Sequence, residues 1–169
     1  MVKKLVSTLL IFTSFTLLVL DYNQKSYAQE KIDSIISKKE KRKYDGYIYI
    51  PKLNYKNVIS TKNVLDDNKI YMISDKSIIN KEYGNIILAG HNNKYVFSNL
   101  YKLDIGDEII ISDFINKYYF KVYEIKYINI KDKTVLDNVY NEKIITLITC
   151  TNNNQTRYVV RGYHTISHN

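Results

Sequence analysis

The sequence is poor in residues that cross-link or break a chain: it has 1 cysteine, 1 proline and 5 glycines among 169 residues. A single cysteine excludes an intramolecular disulfide, and one cysteine with three histidines does not form a usual zinc-ligand pattern. The scarcity of proline and glycine, beside 45% hydrophobic residues, excludes a largely disordered chain. We therefore expect one folded domain with a short appendage, and no metal or other cofactor.

Tryptophan is absent and arginine is scarce, although the net charge is +8. The three arginines are Arg42, Arg157 and Arg161, and all other cations are lysines spread along the chain. This pattern lacks the interleaved aromatic and arginine side chains of a nucleic-acid-binding surface. We expect a solvated lysine-rich surface, with attraction to an anionic membrane or cell wall as the alternative, and no nucleic-acid partner.

The first 28 residues have the layout of an export segment. Lys3 and Lys4 precede an uncharged run over residues 5–20, and residues 26–28 have the small-residue spacing of a cleavage site. As a helix the run spans about 24 Å, less than the roughly 30 Å hydrocarbon core of a bilayer. A cleaved signal and an uncleaved membrane anchor are both open, and either one takes the rest of the chain out of the cytoplasm.

The rest of the chain divides into a charged stretch and a compact domain. Residues 29–43 predict a linker, or a short helix with Ile32, Ile35 and Ile36 on one face. The compact domain is expected over residues 44–169.

From residue 44 the pattern changes to short extended segments rich in Ile, Val, Tyr and Thr, which favour strands. Pro51 ends the first strand, and the longest strand is expected to bend midway. Many short strands predict a mainly β fold, a barrel or a sandwich. Strands are predicted at 47–50, 55–60, 85–89, 108–112, 117–130, 143–150 and 157–163, with one or two short helices near 75–80 and 96–100.

The end of the chain predicts a hairpin that carries reactive groups. Cys150 ends a β-branched apolar strand, a polar loop follows, and Arg157 begins the next strand. The two residues should lie nearly opposite each other, about 5 Å apart. A guanidinium beside a thiol favours the nucleophilic thiolate and can stabilise an oxyanion. Arg161 lies about 13 Å further along the strand, so Arg157 is the better partner.

A histidine is available as the proton carrier. His91 follows an apolar strand and Gly90, at a position from which it can reach a site at the barrel rim. His164 and His168 lie in the last six residues, where fraying is usual. An ordinary structural interpretation is also open, because a free cysteine at a strand end is often a small buried hydrophobe.

Three segments together resemble the sortases, the cysteine transpeptidases of Gram-positive bacterial surfaces. They are Thr-Leu-Ile-Thr-Cys at 146–150 with Arg157 seven positions on, Leu-Ala-Gly-His at 88–91, and a segment at 47–53 similar to the family's opening strand and Ile-Pro turn. The resemblance covers residues 44–163. It implies a closed eight-stranded β-barrel.

The resemblance also implies roles and partners. Cys150 would attack an LPxTG-like sorting signal and form a thioester, His91 would carry the proton, and Arg157 would hold substrate or stabilise the oxyanion. The implied partners are surface proteins that carry this C-terminal signal, and an amine of a peptidoglycan precursor of the lipid II type. An uncleaved N-terminal anchor is usual in this family, so the resemblance implies a monomer that is anchored in the cell membrane and faces outward.

Subclass and alternative functions follow from the same residues. Residues 131–142 leave little room for the helix that class B sortases insert. No second apolar span follows residue 163, which argues against a pilin-polymerising class C enzyme. We therefore expect a class A-like or class D-like enzyme. Asp66 and Asp67 lack a diagnostic calcium-binding spacing, so no metal is predicted. A secreted cysteine peptidase that hydrolyses the same motif and a non-catalytic barrel that binds the cell wall both remain open.

Overall fold

A computed structural model describes residues 2–37, 44–61, 68–73, 79–139, 141–152 and 155–165 of the chain. It begins with a long helix, α1, and continues with eight strands. The bounds are α1 Val2–Ser37, β1 Gly46–Ile50, β2 Tyr55–Ser60, β3 Ile70–Met72, β4 Gly84–Gly90, β5 Glu108–Ser112, β6 Lys117–Asn129, β7 Lys143–Cys150 and β8 Thr156–Thr165. Three short 3-10 helices lie at Pro51–Leu53, Leu100–Lys102 and Thr134–Leu136.

The eight strands form a closed barrel in the order β1-β2-β3-β4-β7-β8-β6-β5, and β5 pairs with β1 to close it. β2–β3 and β4–β7 are parallel pairs, and the other pairs are antiparallel. Closure gives every strand a neighbour on both sides, which avoids the open edges of a flat sheet. The predicted closed eight-stranded β-barrel is confirmed.

The barrel interior is filled by apolar side chains, of which isoleucine is the most frequent. Side chains alternate across each strand, so every second residue points inward. All eight strands contribute to one buried cluster, and each fully buried aliphatic side chain stabilises the fold by about 1.5–3 kcal/mol relative to exposure. The inward residues include Ile48, Ile59, Ile70, Leu88, Ile111, Phe120, Leu147 and Val160.

All seven predicted strands are present, and the bend predicted in the longest strand is a register shift between Val122 and Glu124 in β6. The eighth strand, β3, was missed because three residues are too few to show alternation. The helical piece predicted at 96–100 overlaps a 3-10 helix only at its last residue: residues 96–99 form turns, and the helix begins at Leu100. Of the other predicted piece, 75–80, residues 75–78 lie outside the described part of the chain, so it stays a prediction.

The N-terminal helix is longer than expected. α1 includes residues 29–37 of the stretch predicted as a linker or short helix, and it contacts β2, where Asp33 pairs with Lys56 at 2.7 Å. Residues 38–43 lie outside the described part, and the predicted boundaries at residues 28 and 43 stay predictions. Within the described residues, no helix combines the length and apolar character needed to cross a membrane.

Asn85 at the start of β4 ties together the elements that position β7. Its side chain is 1% exposed; its amide donates to the carbonyl oxygens of Val135 (2.9 Å) and Asp137 (3.1 Å). Its Oδ1 accepts a hydrogen bond from Thr146 Oγ1 of β7 at 2.7 Å. The amide therefore joins β4, β7 and the segment that connects β6 to β7.

Replacing Asn85 by alanine should lower the free energy of unfolding by about 2–4 kcal/mol, because the Thr146 hydroxyl and two carbonyls lose their buried partner. Thr146→Val alone should cost about 1–2 kcal/mol, and the double variant should cost less than the sum. Urea unfolding measures all three. Asn80→Ala, at an exposed asparagine in the turn before β4, is the control. Additive effects at Asn85 and Thr146 would contradict the coupling.

Candidate active site

The parallel pairing of β4 with β7 brings two predicted site residues to one end of the barrel. The pairing runs from Gly84–Lys143 to Gly90–Thr149. The next residue in each segment is His91, just after β4, and Cys150, the last residue of β7. The side chain of Cys150 is half-buried and that of His91 is exposed. Neighbouring parallel strands lie about 4.8 Å apart, which places the two residues within reach of one substrate.

The loops that follow these strands are held close to the strand ends. Phe97 N donates to the carbonyl oxygen of His91 at 3.0 Å, which folds the loop after β4 back on itself. Asn92 Nδ2 donates to Asn152 Oδ1 at 3.4 Å, which joins the loop after β4 to the loop after β7. The position of His91 is therefore set by backbone and side-chain contacts on both loops.

The third predicted residue lies on the neighbouring strand. Cys150 of β7 is paired directly with Arg157 of β8, as the hairpin analysis predicted. Side chains of paired residues project from the same face of a sheet, about 5 Å apart. That face is the outer one: Ile145 and Leu147 fill the barrel, whereas Ile148, two residues before the thiol, packs outside it.

The other candidate residues lie elsewhere. Arg161 pairs with Thr146, and its Nη1 donates to Glu124 Oε2 on β6 at 3.2 Å. Its side chain is 13% exposed and also lies over the ring of Tyr123. His164 lies further along β8, where its ring contacts Phe120. His168 lies outside the described residues.

Cys150 lies between two surfaces of different character. On the outer face, Ile148 packs with an apolar cluster of Ile128, Val135, Val159 and Leu136. At the barrel end, the thiol lines an open groove of about 630 Å³. Its walls include three tyrosines, Tyr101, Tyr127 and Tyr158.

Sequence reasoning missed this groove. The chain has 17 tyrosines, and nothing in the local pattern distinguishes these three from the rest. The groove is also lined by Thr149, whose hydroxyl is buried and has no hydrogen-bond partner among the described residues.

No described group of three or more His, Cys, Asp or Glu side chains is arranged to hold a metal ion. Asp66 and Asp67 lie outside the described residues. The groups assembled at this end of the barrel are a thiol, an imidazole and a guanidinium. Together they suit nucleophilic acyl transfer, in which a thiolate attacks a carbonyl.

Comparison with known proteins identifies the family. A sortase domain model matches residues 48–165. Sortase A of Listeria monocytogenes is 37% identical over 84 residues, which cover 47% of this chain and 37% of that protein. The chain therefore spans well under half of the length of this curated relative.

Solved structures of sortases are also similar to this chain. Sortase C1 from Streptococcus agalactiae is 30% identical with a TM-score of 0.69, over 74% of this chain and 69% of that one. A sortase D5 transpeptidase from Clostridium perfringens is 27% identical with a TM-score of 0.67, over 84% of this chain and 98% of that one.

The chain belongs to the sortase family. Its relatives include sortases named A, C and D, so similarity does not separate the classes, and a class A-like or class D-like enzyme stays a prediction.

The ion pair of Arg161 should make the fold acid-sensitive. Partial burial opposes ionisation of Glu124, but hydrogen bonds from Lys126 and Arg161 outweigh it and lower the pKa of Glu124 below its usual 4.5. A lowered pKa in the folded state gives stability that is present above 4.5 and is lost as the pH falls towards the folded-state value. Glu124→Gln should therefore flatten the acid side of a plot of Tm against pH.

Thermal unfolding between neutral and acidic pH measures this slope. Glu142→Gln, at an exposed glutamate near the start of β7, is the matched control and should keep the wild-type slope. An unchanged slope in Glu124→Gln would show that the ion pair contributes nothing to acid sensitivity.

Proposed function

We propose that the chain is a transpeptidase that joins surface proteins to the cell wall through a thioester on Cys150. The carrying observation is that two strand pairings, β4–β7 and β7–β8, bring His91, Cys150 and Arg157 to one end of the barrel. Membership of the sortase family supports the same assignment. The proposed donor is a surface protein with an LPxTG-like C-terminal signal, and the proposed acceptor is an amine of a peptidoglycan precursor.

In the first half-reaction, the Cys150 thiolate attacks the carbonyl carbon of the peptide bond that follows threonine. The C–S bond forms, the C–N bond breaks, and His91 gives its proton to the departing amine. Arg157 donates hydrogen bonds to the carbonyl oxygen, where negative charge develops. The products are a thioester on Cys150 and the released tail of the sorting signal.

In the second half-reaction, an acceptor amine attacks the thioester carbon. The new C–N bond forms, the sulfur leaves as thiolate, and the proton lost by the amine passes to His91. The enzyme returns to its starting protonation state, so neither a metal nor a cofactor is needed.

We also propose that the enzyme works on the outer side of the cell membrane. Sortases are generally membrane-associated or cell-surface enzymes. In this chain Lys3 and Lys4 followed by the uncharged residues 5–20 support export with the N-terminus kept in the cytoplasm. An uncleaved anchor is proposed, with cleaved secretion as the alternative that N-terminal sequencing of the mature protein distinguishes.

Incubation with an LPxTG-type peptide should add the mass of the acyl fragment to the enzyme, and Cys150→Ala should abolish both the adduct and peptide cleavage. Mass spectrometry of the intact enzyme measures the adduct. Adding an amine such as triglycine should divert the product from acid to amide. Cleavage that persists in Cys150→Ala would contradict the proposal, and product that stays acid at saturating amine would indicate a hydrolytic peptidase.

Arg157→Lys should lower kcat/KM for the donor peptide by about 10²-fold, because a lysine ammonium lacks the planar fork that holds a carbonyl oxygen. Initial rates of peptide cleavage measure the loss. Arg161→Lys is the matched variant on the same strand and face, and its loss should stay below about tenfold because Arg161 is committed to Glu124. An equal loss in both variants would mean that the arginines act on the fold and not on the substrate.

A further inference from the structure

Asn57 of β2 is a polar side chain in the apolar interior of the barrel, and the catalytic steps described above do not use it. Its side chain is 2% exposed, and it pairs with Ile48 of β1, which belongs to the barrel core. Paired residues project from the same face of a sheet, so Asn57 also points inward. Burying an amide costs free energy unless its hydrogen bonds are made, so its partners show what the asparagine does.

The amide of Asn57 joins three segments of the chain. Its Oδ1 accepts a hydrogen bond from the backbone N–H of Val58 at 2.8 Å. Its Nδ2 donates to the carbonyl oxygen of Asn68, just before β3, at 3.0 Å, and to that of Tyr95 at 3.3 Å. Tyr95 lies in the loop after β4, which begins with His91. One buried side chain on β2 therefore holds the backbone of the loop that carries the histidine.

Hydrogen bonds within this loop connect Tyr95 to His91. The backbone N–H groups of Tyr95 and Val96 donate to Asn93 Oδ1 at 2.9 and 3.1 Å. The next backbone N–H, that of Phe97, donates to the carbonyl oxygen of His91 at 3.0 Å. Because these bonds close the loop within a few residues, a displacement of the Tyr95 carbonyl would also displace the backbone of His91.

The loop is also packed tightly against β4 and β2. A Cβ atom on Gly90 would lie 2.5 Å from Val96 Cγ1 and 2.8 Å from Phe97 Cδ2, so the loop lies directly on the end of β4. The ring of Phe97 is 1% exposed and its centroid is 6.3 Å from that of Tyr55 on β2. Apolar packing is not directional, whereas a hydrogen bond from Asn57 also fixes the orientation of the loop backbone.

From this geometry we propose that Asn57 is a positioning residue for His91. It holds the loop after β4 through the Tyr95 carbonyl, so that the imidazole stays within reach of the amine that leaves during acylation. In that step the Cys150 thiolate bonds to the acyl carbon, the C–N bond breaks, and the proton of His91 passes to the departing nitrogen. This inference rests on the function proposed above and adds a residue, remote from the thiol, on which the proton transfer depends.

A donor that needs no proton separates proton transfer from other losses. The two donors are an LPxTG-type peptide and the same peptide with a thioester in place of the scissile amide, from which the leaving group departs as a thiolate. Asn57→Leu keeps a side chain of similar size but removes both N–H groups. It should slow acylation by the amide donor about tenfold, because a displaced general acid loses part of its usual contribution of about 10²–10⁴-fold. Acylation by the thioester donor should change by less than about twofold. Single-turnover mass spectrometry of the Cys150 adduct measures both rates.

Tyr55→Phe is the matched control. Asn57 Nδ2 has two N–H groups but three acceptors, and the third is Tyr55 Oη at 3.0 Å. Phenylalanine removes this acceptor alone and keeps a ring against Phe97, so both N–H groups retain a carbonyl partner. The ratio of the amide rate to the thioester rate should therefore stay at the wild-type value.

A double variant tests whether Asn57 acts through His91. His91→Ala should show a larger loss that is also selective for the amide donor, and adding Asn57→Leu should lower the amide rate no further, because both changes remove the same proton transfer. A further loss in the double variant, or an equal loss with both donors in Asn57→Leu, would overturn the inference and make Asn57 a residue of the fold alone. So would failure of both Asn57→Leu and Asn57→Ala to fold, measured by thermal unfolding. Absence of any adduct in the wild-type enzyme would overturn the proposed function itself.

Discussion

The parallel pairing of β4 with β7 is the constraint on which the site depends. These strands are distant in sequence, yet their shared register places His91 and Cys150 at the same end of the barrel. Asn85 fixes that register at the opposite end, because its side chain bonds to Thr146 on β7 and to the segment leading into β7. Such an amide is costly to bury unless all its partners are present, so it favours one register over a slipped one.

The β7–β8 hairpin positions the third candidate residue, Arg157, beside Cys150. Its tight register sets Arg157 opposite Cys150 and leaves Arg161 opposite Thr146, beyond reach of the thiol. The two arginines differ in surroundings as well as in position. Arg161 has a carboxylate partner on β6 and an aromatic ring beneath it, which is the environment of a structural cation. Strand register therefore gives the two arginines different positions and different neighbours.

Local patterns were enough to predict seven of the eight barrel strands and the Cys150–Arg157 pairing, because alternation and hairpin length depend on residues that are close together in the sequence. Features that depend on distant parts of the chain were not predictable. β3 is three residues long and exists through its neighbours β2 and β4. In the sequence Asn85 looks like any asparagine near a turn, because its partner Thr146 lies on β7, far away along the chain. The tyrosine groove draws on three separate segments, and abundant tyrosine elsewhere conceals it.

The neutrality of the groove contrasts with the rest of the molecule. The chain carries a net charge of +8, almost all of it on lysine side chains, whereas the described residues around the thiol's groove carry none. Ionic strength therefore acts on two events unequally. Dissolved salt screens long-range attraction between the lysines and an anionic surface. It leaves nearly untouched short-range contacts among uncharged groups, so a change in ionic strength should alter long-range encounters of the lysine-rich surface more than contacts in the groove.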